Sequence, residues 1–217
     1  MIRKQVEEAR QSTAFGDVQI LPVSKGHPPE TVLAAFKEGL EMLGENYVQE
    51  CRDKASAIGA GELQWHLLGH LQRNKVPLAS RLFSMIETVD SLPLATAISK
   101  QRSAANPMPV LCEVDFTDIP ERSGYRTETL LRDLEALQAL PGLELRGLMT
   151  VAAPDAPARS FEACRELRTR LEKELGTELP ILSMGMSGDF EAAIAEGSTQ
   201  IRVGTALFGP RVASRQQ

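Results

Sequence analysis

Short apolar segments alternate along the chain with longer segments in which apolar residues recur at helical spacing. This alternation is typical of strands that are each followed by a helix and that pair into a parallel sheet. The predicted strands are Val18–Ser24, Leu40–Leu43, Leu63–Leu68, Met85–Val89, Val110–Val114, Leu143–Met149, Leu179–Leu182 and Gln200–Val203. The predicted helices include Pro29–Glu38, Tyr47–Ile58, Leu92–Gln101, Glu128–Leu140, Ala158–Leu175 and Phe190–Glu196. Eight strands in this order predict a closed (β/α)8 barrel, the TIM-barrel architecture.

The length of the chain agrees with a single barrel domain. Its 217 residues lie near the lower end of the range for this fold, which begins at about 200 residues, so insertions must be few. No linker rich in Pro, Gly or Ser divides the sequence, and we expect one domain over residues 1–217. A doubly wound open sheet is the main alternative. We favour the barrel because the first strand ends in Ser24-Lys25-Gly26, without the GxGxxG loop of nucleotide-binding open sheets.

Composition and charge exclude several classes of function. The chain has 24 Lys and Arg against 29 Asp and Glu, a formal net charge of -5, which gives no support for a nucleic-acid partner. No segment approaches the ~20 apolar residues that span a bilayer, and the N-terminus lacks an apolar leader, so we expect a cytoplasmic protein. Cys51, Cys112 and Cys164 are far apart and lack metal-ligand spacing, and we interpret them as reduced and structural.

Lys25 is the first candidate for chemistry. Working residues of such barrels project from the carboxyl ends of the strands, and Lys25 follows the apolar run of the first strand. Partial burial lowers the pKa of a lysine and makes a nucleophilic amine available, so a Schiff base is feasible there. The alternative is that Lys25 is merely the first solvated residue of a loop.

The ends of the second and third strands carry further polar residues. Asn46 is placed to cap the next helix, to face the barrel mouth, or both. His66 and His70 lie four residues apart, but Gly69 argues against a helix there and no third ligand is evident, so we predict no metal site. A core histidine satisfied by its neighbours is the alternative interpretation of His66.

Two turns after the last two strands share one chemistry. Gly185-Met186-Ser187-Gly188 and Gly204-Thr205 each combine small residues, backbone N–H donors and a hydroxyl at the start of a helix. Such turns favour a phosphate, and barrels commonly bind phosphate after the seventh and eighth strands. Arg202 is a cation within the eighth strand and needs either an ion-pair partner or a ligand. A lysine, a phosphate site and an arginine between them describe a site for a phosphorylated aldehyde such as pyridoxal 5′-phosphate.

The same residues resemble a known family. The motifs are VSKG around Lys25, GENYVQE from Gly44, WHLLGHLQRNK from Trp65, GLMTVA from Gly147 and MGMSGDFEAAIAEGSTQIRVGTALFG from Met184. They resemble the pyridoxal phosphate homeostasis proteins, which are similar to the N-terminal barrel domain of alanine racemase standing alone. Two features depart from the family pattern: the N-terminal helix is shorter, and Asp115 stands where an amide is expected.

The resemblance implies both a site and a role. It implies that the cofactor forms an internal aldimine on Lys25, with its phosphate at Ser187, Gly204 and Thr205. It also implies that Arg202 faces the pyridine nitrogen and that Asn46 lies beside the ring. We expect Met186 to be a cofactor-binding residue as well. The implied role is storage and delivery of the cofactor, with apo forms of cofactor-dependent enzymes as recipients, by a monomer without robust enzymatic activity.

Two enzymatic alternatives use the same groups. An amino-acid racemase needs a second acid–base group opposite Lys25, and neither Tyr47 nor Tyr125 is an obvious one. In racemase that group comes from a further domain and a partner subunit, and only eight residues follow Gly209, so we expect no such domain here. A Schiff-base aldolase acting on a sugar phosphate is the other alternative. We expect its lysine on a later strand, and a purified aldolase carries no yellow chromophore.

Overall fold

The strands form one parallel sheet that closes on itself. A computed structural model describes residues 2–59, 63–117, 119–120 and 122–210. Within these ranges the strands are β1 (Gln19–Pro22), β2 (Met42–Glu45), β3 (Gln64–Leu67), β4 (Met85–Val89), β5 (Met108–Glu113), β6 (Leu143–Met149), β7 (Ile181–Ser183) and β8 (Gln200–Val203). They pair in the order β1-β8-β7-β6-β5-β4-β3-β2, and a parallel bridge between Val23 and Gly44 joins β1 to β2. The predicted (β/α)8 barrel is therefore confirmed.

Helices connect the strands and cover the outside of the barrel. In the described residues they are α1 (Ile2–Gln11), α2 (Pro29–Lys37), α3 (Val48–Ile58), α4 (Val76–Leu82), α5 (Leu92–Ser99), α6 (Thr127–Gln138), α7 (Pro157–Leu175), α8 (Phe190–Ala195) and α9 (Thr205–Phe208). The longest, α7, buries a stripe that includes Phe161, Cys164 and Leu171 and ends where Gly176 adopts a positive φ of 65°. None of the helices described is long and apolar enough to cross a membrane.

Two apolar clusters hold these elements together. The larger lies between the strands and the surrounding helices, and its fully buried members include Leu43, Leu67 and Ile86. The smaller fixes the N-terminal helix, because Ile2 and Val6 of α1 pack with apolar residues of α8 and β8. Burying one such large aliphatic side chain stabilises the fold by roughly 1.5–3 kcal/mol.

The cysteines belong to the structural part of the molecule. Cys51, Cys112 and Cys164 are buried and form no disulfide in the structure as described. Burial raises the pKa of the Cys112 and Cys164 thiols to about 12, so both stay protonated at neutral pH. A protonated thiol is a poor nucleophile, and these cysteines act as small apolar side chains.

The element predictions differ from the structure mainly at their boundaries. The strands β4, β6 and β8 have the predicted limits, whereas β2 begins and ends two residues later than predicted. The sequence analysis gave no separate helix for α4, which has seven residues, and gave only the start of α9, which has four. Helices this short carry little periodic signal.

Candidate functional site

A cavity of about 390 Å³ opens at the carboxyl ends of the strands. This is the end of the barrel at which (β/α)8 proteins hold their ligands, and the volume lies in the range of small-molecule sites. Its lining comes from the segments that follow β1, β2, β3, β6, β7 and β8. The lining residues are Val23, Lys25, His27, Asn46, Leu68, Met149, Val151, Met186, Ser187, Gly188, Arg202, Gly204 and Thr205.

All the cofactor-binding residues named from the sequence meet in this cavity. They are Lys25, Asn46, Met186, Ser187, Arg202, Gly204 and Thr205. Lys25 comes from the turn after β1, and the side chain is half-buried. The glycine and hydroxyl turns come from the adjacent ends of β7 and β8. The fold thus brings residues from opposite ends of the sequence, up to 180 positions apart, to one pocket.

The expected capping role of Asn46 is wrong. Helix α3 begins at Val48, its N-cap residue is Tyr47, and no side chain caps it. Asn46 instead lines the cavity in a segment that packs closely against Gly69. A Cβ on Gly69 would lie 2.0 Å from the Asn46 carbonyl oxygen, so only glycine permits this approach. Gly69 therefore helps to hold the Asn46 segment at the mouth.

Backbone donors face the phosphate end of the cavity. Within the described residues, the N–H groups of Ser187, Gly188, Gly204 and Thr205 donate no hydrogen bond to another protein group. The Ser187 and Thr205 side chains are exposed, so their hydroxyls are accessible to a ligand. Four N–H groups and two hydroxyls around one pocket make a site suited to a phosphate.

The turn after β7 has a fixed shape. The Asp189 carboxylate accepts a hydrogen bond from the Met186 N–H, and the Phe190 N–H donates to the Met186 carbonyl. Gly185 adopts a positive φ of 95°, and a Cβ there would lie 2.6 Å from the Ala193 Cβ. Both constraints hold the turn in the conformation that leaves the N–H groups of Ser187 and Gly188 accessible.

Arg202 is buried beneath the pocket and held by the protein. Its Nη1 donates to the Ser183 carbonyl at 2.6 Å and to the Ser183 hydroxyl at 2.9 Å, and its Nη2 donates to the Thr150 carbonyl at 2.8 Å. Burial lowers the pKa of Arg202, but a guanidinium pKa is so high that the group stays charged. Since Arg202 also lines the cavity, it presents a fixed cation to whatever binds there.

A buried polar network continues from Arg202 across the barrel. Glu87 accepts hydrogen bonds from Ser183 at 2.6 Å and from Gln200 at 2.8 Å, and it contacts His66 Nδ1 at 2.8 Å. Burial alone would raise the pKa of Glu87, yet His66, Ser183 and Arg202 together lower it. A carboxylate therefore lies close to the Arg202 guanidinium and compensates its charge in the barrel interior.

The histidines belong to separate environments. His66 is buried in β3 and paired with Glu87, so it is a satisfied core histidine. His70 is exposed and contacts Asp90 at 3.1 Å. The described residues hold no cluster of three or more His, Cys, Asp or Glu side chains suited to a metal ion.

The sequence analysis missed part of the cavity wall. His27 is buried, its ring lies 5.4 Å from that of Phe208, and it lines the pocket two residues after Lys25. Its position in the same turn as Lys25 was the available signal. Leu68 and Met149 add apolar surface, and no local pattern distinguishes them from core residues.

The chain is similar to known proteins over nearly its whole length. The family model for the N-terminal domain of alanine racemase matches residues 1–212. A pyridoxal phosphate homeostasis protein of Vibrio cholerae is 40% identical over 225 residues, which cover 99% of this chain and 95% of that protein. The chain belongs to the pyridoxal phosphate homeostasis protein family. The family resemblance drawn from the sequence motifs is confirmed.

Further members of the family support this assignment. The pyridoxal phosphate homeostasis protein of Escherichia coli strain K12 is 39% identical over 207 residues, covering 92% of this chain and 88% of that protein. The solved structure of PipY of Synechococcus elongatus PCC7942 with pyridoxal phosphate bound matches with a TM-score of 0.84 at 33% identity. The match covers 96% of this chain and 100% of that chain, so the barrel is shared from end to end.

Proposed function

We propose that this protein binds pyridoxal 5′-phosphate and serves in the homeostasis of that cofactor. One observation carries the proposal: Lys25, Arg202 and two turns of free N–H donors converge on a single cavity. The names of the relatives, and the cofactor in the PipY structure, agree with it. A titration of the purified protein with the cofactor tests it, and we expect one equivalent to bind with a new visible absorbance band. Absence of saturable binding would refute it.

The residues of the cavity fit the parts of the cofactor. The N–H groups after β7 and β8 suit the phosphate, because each has an unused hydrogen to donate. Arg202 suits the pyridine nitrogen, because a guanidinium held by three protein acceptors donates to that nitrogen without giving up its proton. Asn46 and Met186 line the space between these two ends.

Lys25 supplies the covalent anchor in this proposal. The Lys25 amine would be the nucleophile toward the cofactor aldehyde, and the condensation would replace the carbon–oxygen double bond by a carbon–nitrogen double bond and release one water. Lys25 is half-buried and lines the cavity, so its amine is within the space that a ligand would occupy. The bond is reversible, which suits a protein that stores the cofactor and gives it to apo enzymes.

We propose further that the protein is not an efficient catalyst. Racemisation needs acid–base groups on opposite faces of the substrate. In the described chain, the titratable residues that line the cavity are Lys25, His27 and Arg202. Lys25 and His27 come from the same turn, whereas racemisation needs groups on opposite faces of the substrate. The Arg202 guanidinium keeps its proton at neutral pH and therefore cannot act as a base. Tyr47 is 64% exposed and Tyr125 is buried in the core, and neither lines the cavity.

Turnover of alanine should consequently be negligible. Exchange of the α-hydrogen of L- and D-alanine into heavy water, followed by proton NMR, measures it directly. We expect no opposite enantiomer to form at enzymatic rates. Formation of D-alanine from L-alanine on the order of 1 per second or faster would show a racemase instead.

Substitution of Ser187 by alanine should weaken cofactor binding only modestly. The change removes one hydroxyl but leaves every backbone N–H group of the turn, so we expect a loss of about 1–3 kcal/mol in binding free energy. Titration calorimetry of the variant and the parent protein gives the difference. A complete loss of binding would show that the hydroxyl, and not the backbone, holds the phosphate.

A further inference from the structure

Lys54 lies in an unusual place for a lysine. It is on α3, only 2% of its surface is exposed, and it does not line the cofactor cavity. Its ammonium donates to the Ser24 carbonyl at 2.7 Å, to the Glu50 carboxylate at 2.8 Å and to the Glu45 carboxylate. The Ser24 hydroxyl also donates to Glu45, at 2.6 Å. All three donor positions of the buried ammonium are therefore used.

The stability of the fold does not by itself explain why a charged lysine is buried at this position. Burying a lysine and a carboxylate costs several kcal/mol of desolvation, and the ion pair returns about as much, so an apolar pair of similar volume would serve a core equally well. Buried charges of this kind often fix one geometry where a specific position matters. The position fixed here is that of the turn after β1.

The cluster holds the backbone on both sides of Lys25. On one side, Lys54 binds the carbonyl of Ser24. On the other side, the N–H of Gly26 donates to the Glu50 carboxylate at 2.7 Å, and the oxygen that accepts it is the one that contacts Lys54. One residue of chain separates these two anchored peptide groups, and that residue is Lys25.

The anchors come from an element that is itself fixed. Helix α3 packs in the main core through Val48 and Cys51, and Glu45 ends β2 with no exposed surface. The Ser24 N–H donates to the Gly44 carbonyl at 3.1 Å, which ties the same turn to β2. The Lys25 turn is therefore hydrogen-bonded to both β2 and α3.

We propose that Lys54, with Glu45 and Glu50, is a positioning group that orients Lys25 toward the cofactor aldehyde. This inference rests on the proposed function, in which Lys25 Nζ forms the covalent bond. The cluster fixes the direction in which the Lys25 side chain leaves the backbone, and a displacement of about 1 Å at a reacting atom lowers a rate by up to about 100-fold. In the proposed site, the phosphate and the pyridine nitrogen are bound by the turns after β7 and β8 and by Arg202, and none of these hydrogen-bonds to the cluster within the described residues.

Glu50 offers the cleanest test, because it is partly exposed and its replacement leaves the buried Lys54 ammonium still paired with Glu45. Glu50→Ala removes the acceptor of the Gly26 N–H. Glu50→Gln keeps an oxygen at the same place and serves as the rescue. Glu174→Ala breaks an exposed ion pair with Arg170 on α7 and controls for the loss of a surface charge.

Two ligands separate positioning from structural damage. Stopped-flow absorbance gives the rate of covalent attachment of pyridoxal 5′-phosphate, and calorimetry gives the affinity for pyridoxine 5′-phosphate, which has no aldehyde. We expect Glu50→Ala to slow attachment by about tenfold or more, with Glu50→Gln and Glu174→Ala near the parent rate. Affinity for pyridoxine 5′-phosphate should stay within about twofold in all three. An equal loss for both ligands, an unchanged attachment rate in Glu50→Ala, or a failure of Glu50→Gln to restore it would overturn the inference.

Hydrogen exchange tests the cluster without any cofactor. The Gly26 amide should exchange slowly in the parent protein and faster in Glu50→Ala, with little change in Glu50→Gln. Exchange that is equal in the parent and Glu50→Ala would also overturn the inference. Failure of the proposed function has a different signature, since the parent protein would then bind neither phosphorylated ligand while the exchange of Gly26 still reports on the cluster.

Discussion

Lys25→Ala is expected to abolish the visible absorbance of the protein mixed with pyridoxal 5′-phosphate. The substitution removes the Lys25 amine from the cavity wall and leaves the other residues that line the cavity unchanged. Lys37→Ala and Lys75→Ala are matched controls, because neither lysine lines the cavity, and both variants should keep the band. Absorbance spectra of the three variants at equal concentration give the comparison.

The fold of Lys25→Ala should remain intact. Lys25 is half-buried in a turn and is not part of either apolar cluster, so its truncation leaves the core unchanged. Far-UV circular dichroism and binding of pyridoxine 5′-phosphate check this. A Lys25→Ala protein that keeps both its fold and its colour would show that another amine carries the cofactor.

Pyridoxal without the phosphate should bind far more weakly than pyridoxal 5′-phosphate. The two turns after β7 and β8 offer four N–H groups to an anion, and hydrogen bonds to a charged group are worth about 1.5–3 kcal/mol each. Loss of even two of them is about 3 kcal/mol, which corresponds to more than about 100-fold in affinity. Competition between the two aldehydes in one titration measures the ratio.

The same titration has a clear negative result. Equal affinities for the two aldehydes would mean that the turns at Ser187 and Gly204 do not hold the phosphate. The pyridine ring and Lys25 would then account for all of the binding. The expected loss of affinity is larger than that for Ser187→Ala, because a ligand without the phosphate leaves every donor of both turns without its hydrogen-bond acceptor.

The periodic pattern was sufficient to predict the barrel because every strand has buried positions and the longer helices each bury one apolar face. It failed where tertiary contacts decide a boundary. The sequence places the second strand at Leu40–Leu43, whereas β2 runs from Met42 to Glu45. The predicted strand ends before Gly44, whereas Glu45 lies in β2 with no exposed surface because Lys54, nine residues later, pairs with it.

Site residues were predictable where function depends on position along a strand. Lys25, Arg202 and the two glycine turns follow or end apolar runs, so the rule that ligands bind at the carboxyl ends of barrel strands finds them. Contacts across the barrel were not predictable. Glu87 and Gln200 are 113 residues apart and meet only because the strands close into a cylinder. The same is true of Lys54, whose role depends on how α3 packs beside the turn after β1.

Reduction of the cofactor-loaded protein with sodium borohydride, followed by peptide mass mapping, tests the central claim most directly. Borohydride converts the reversible carbon–nitrogen bond into a stable amine and marks the lysine that carried the cofactor. The account predicts a single modified peptide with the label on Lys25. A label on the neighbouring buried Lys54, on Lys37 or on Lys75, or no label at all, would contradict it.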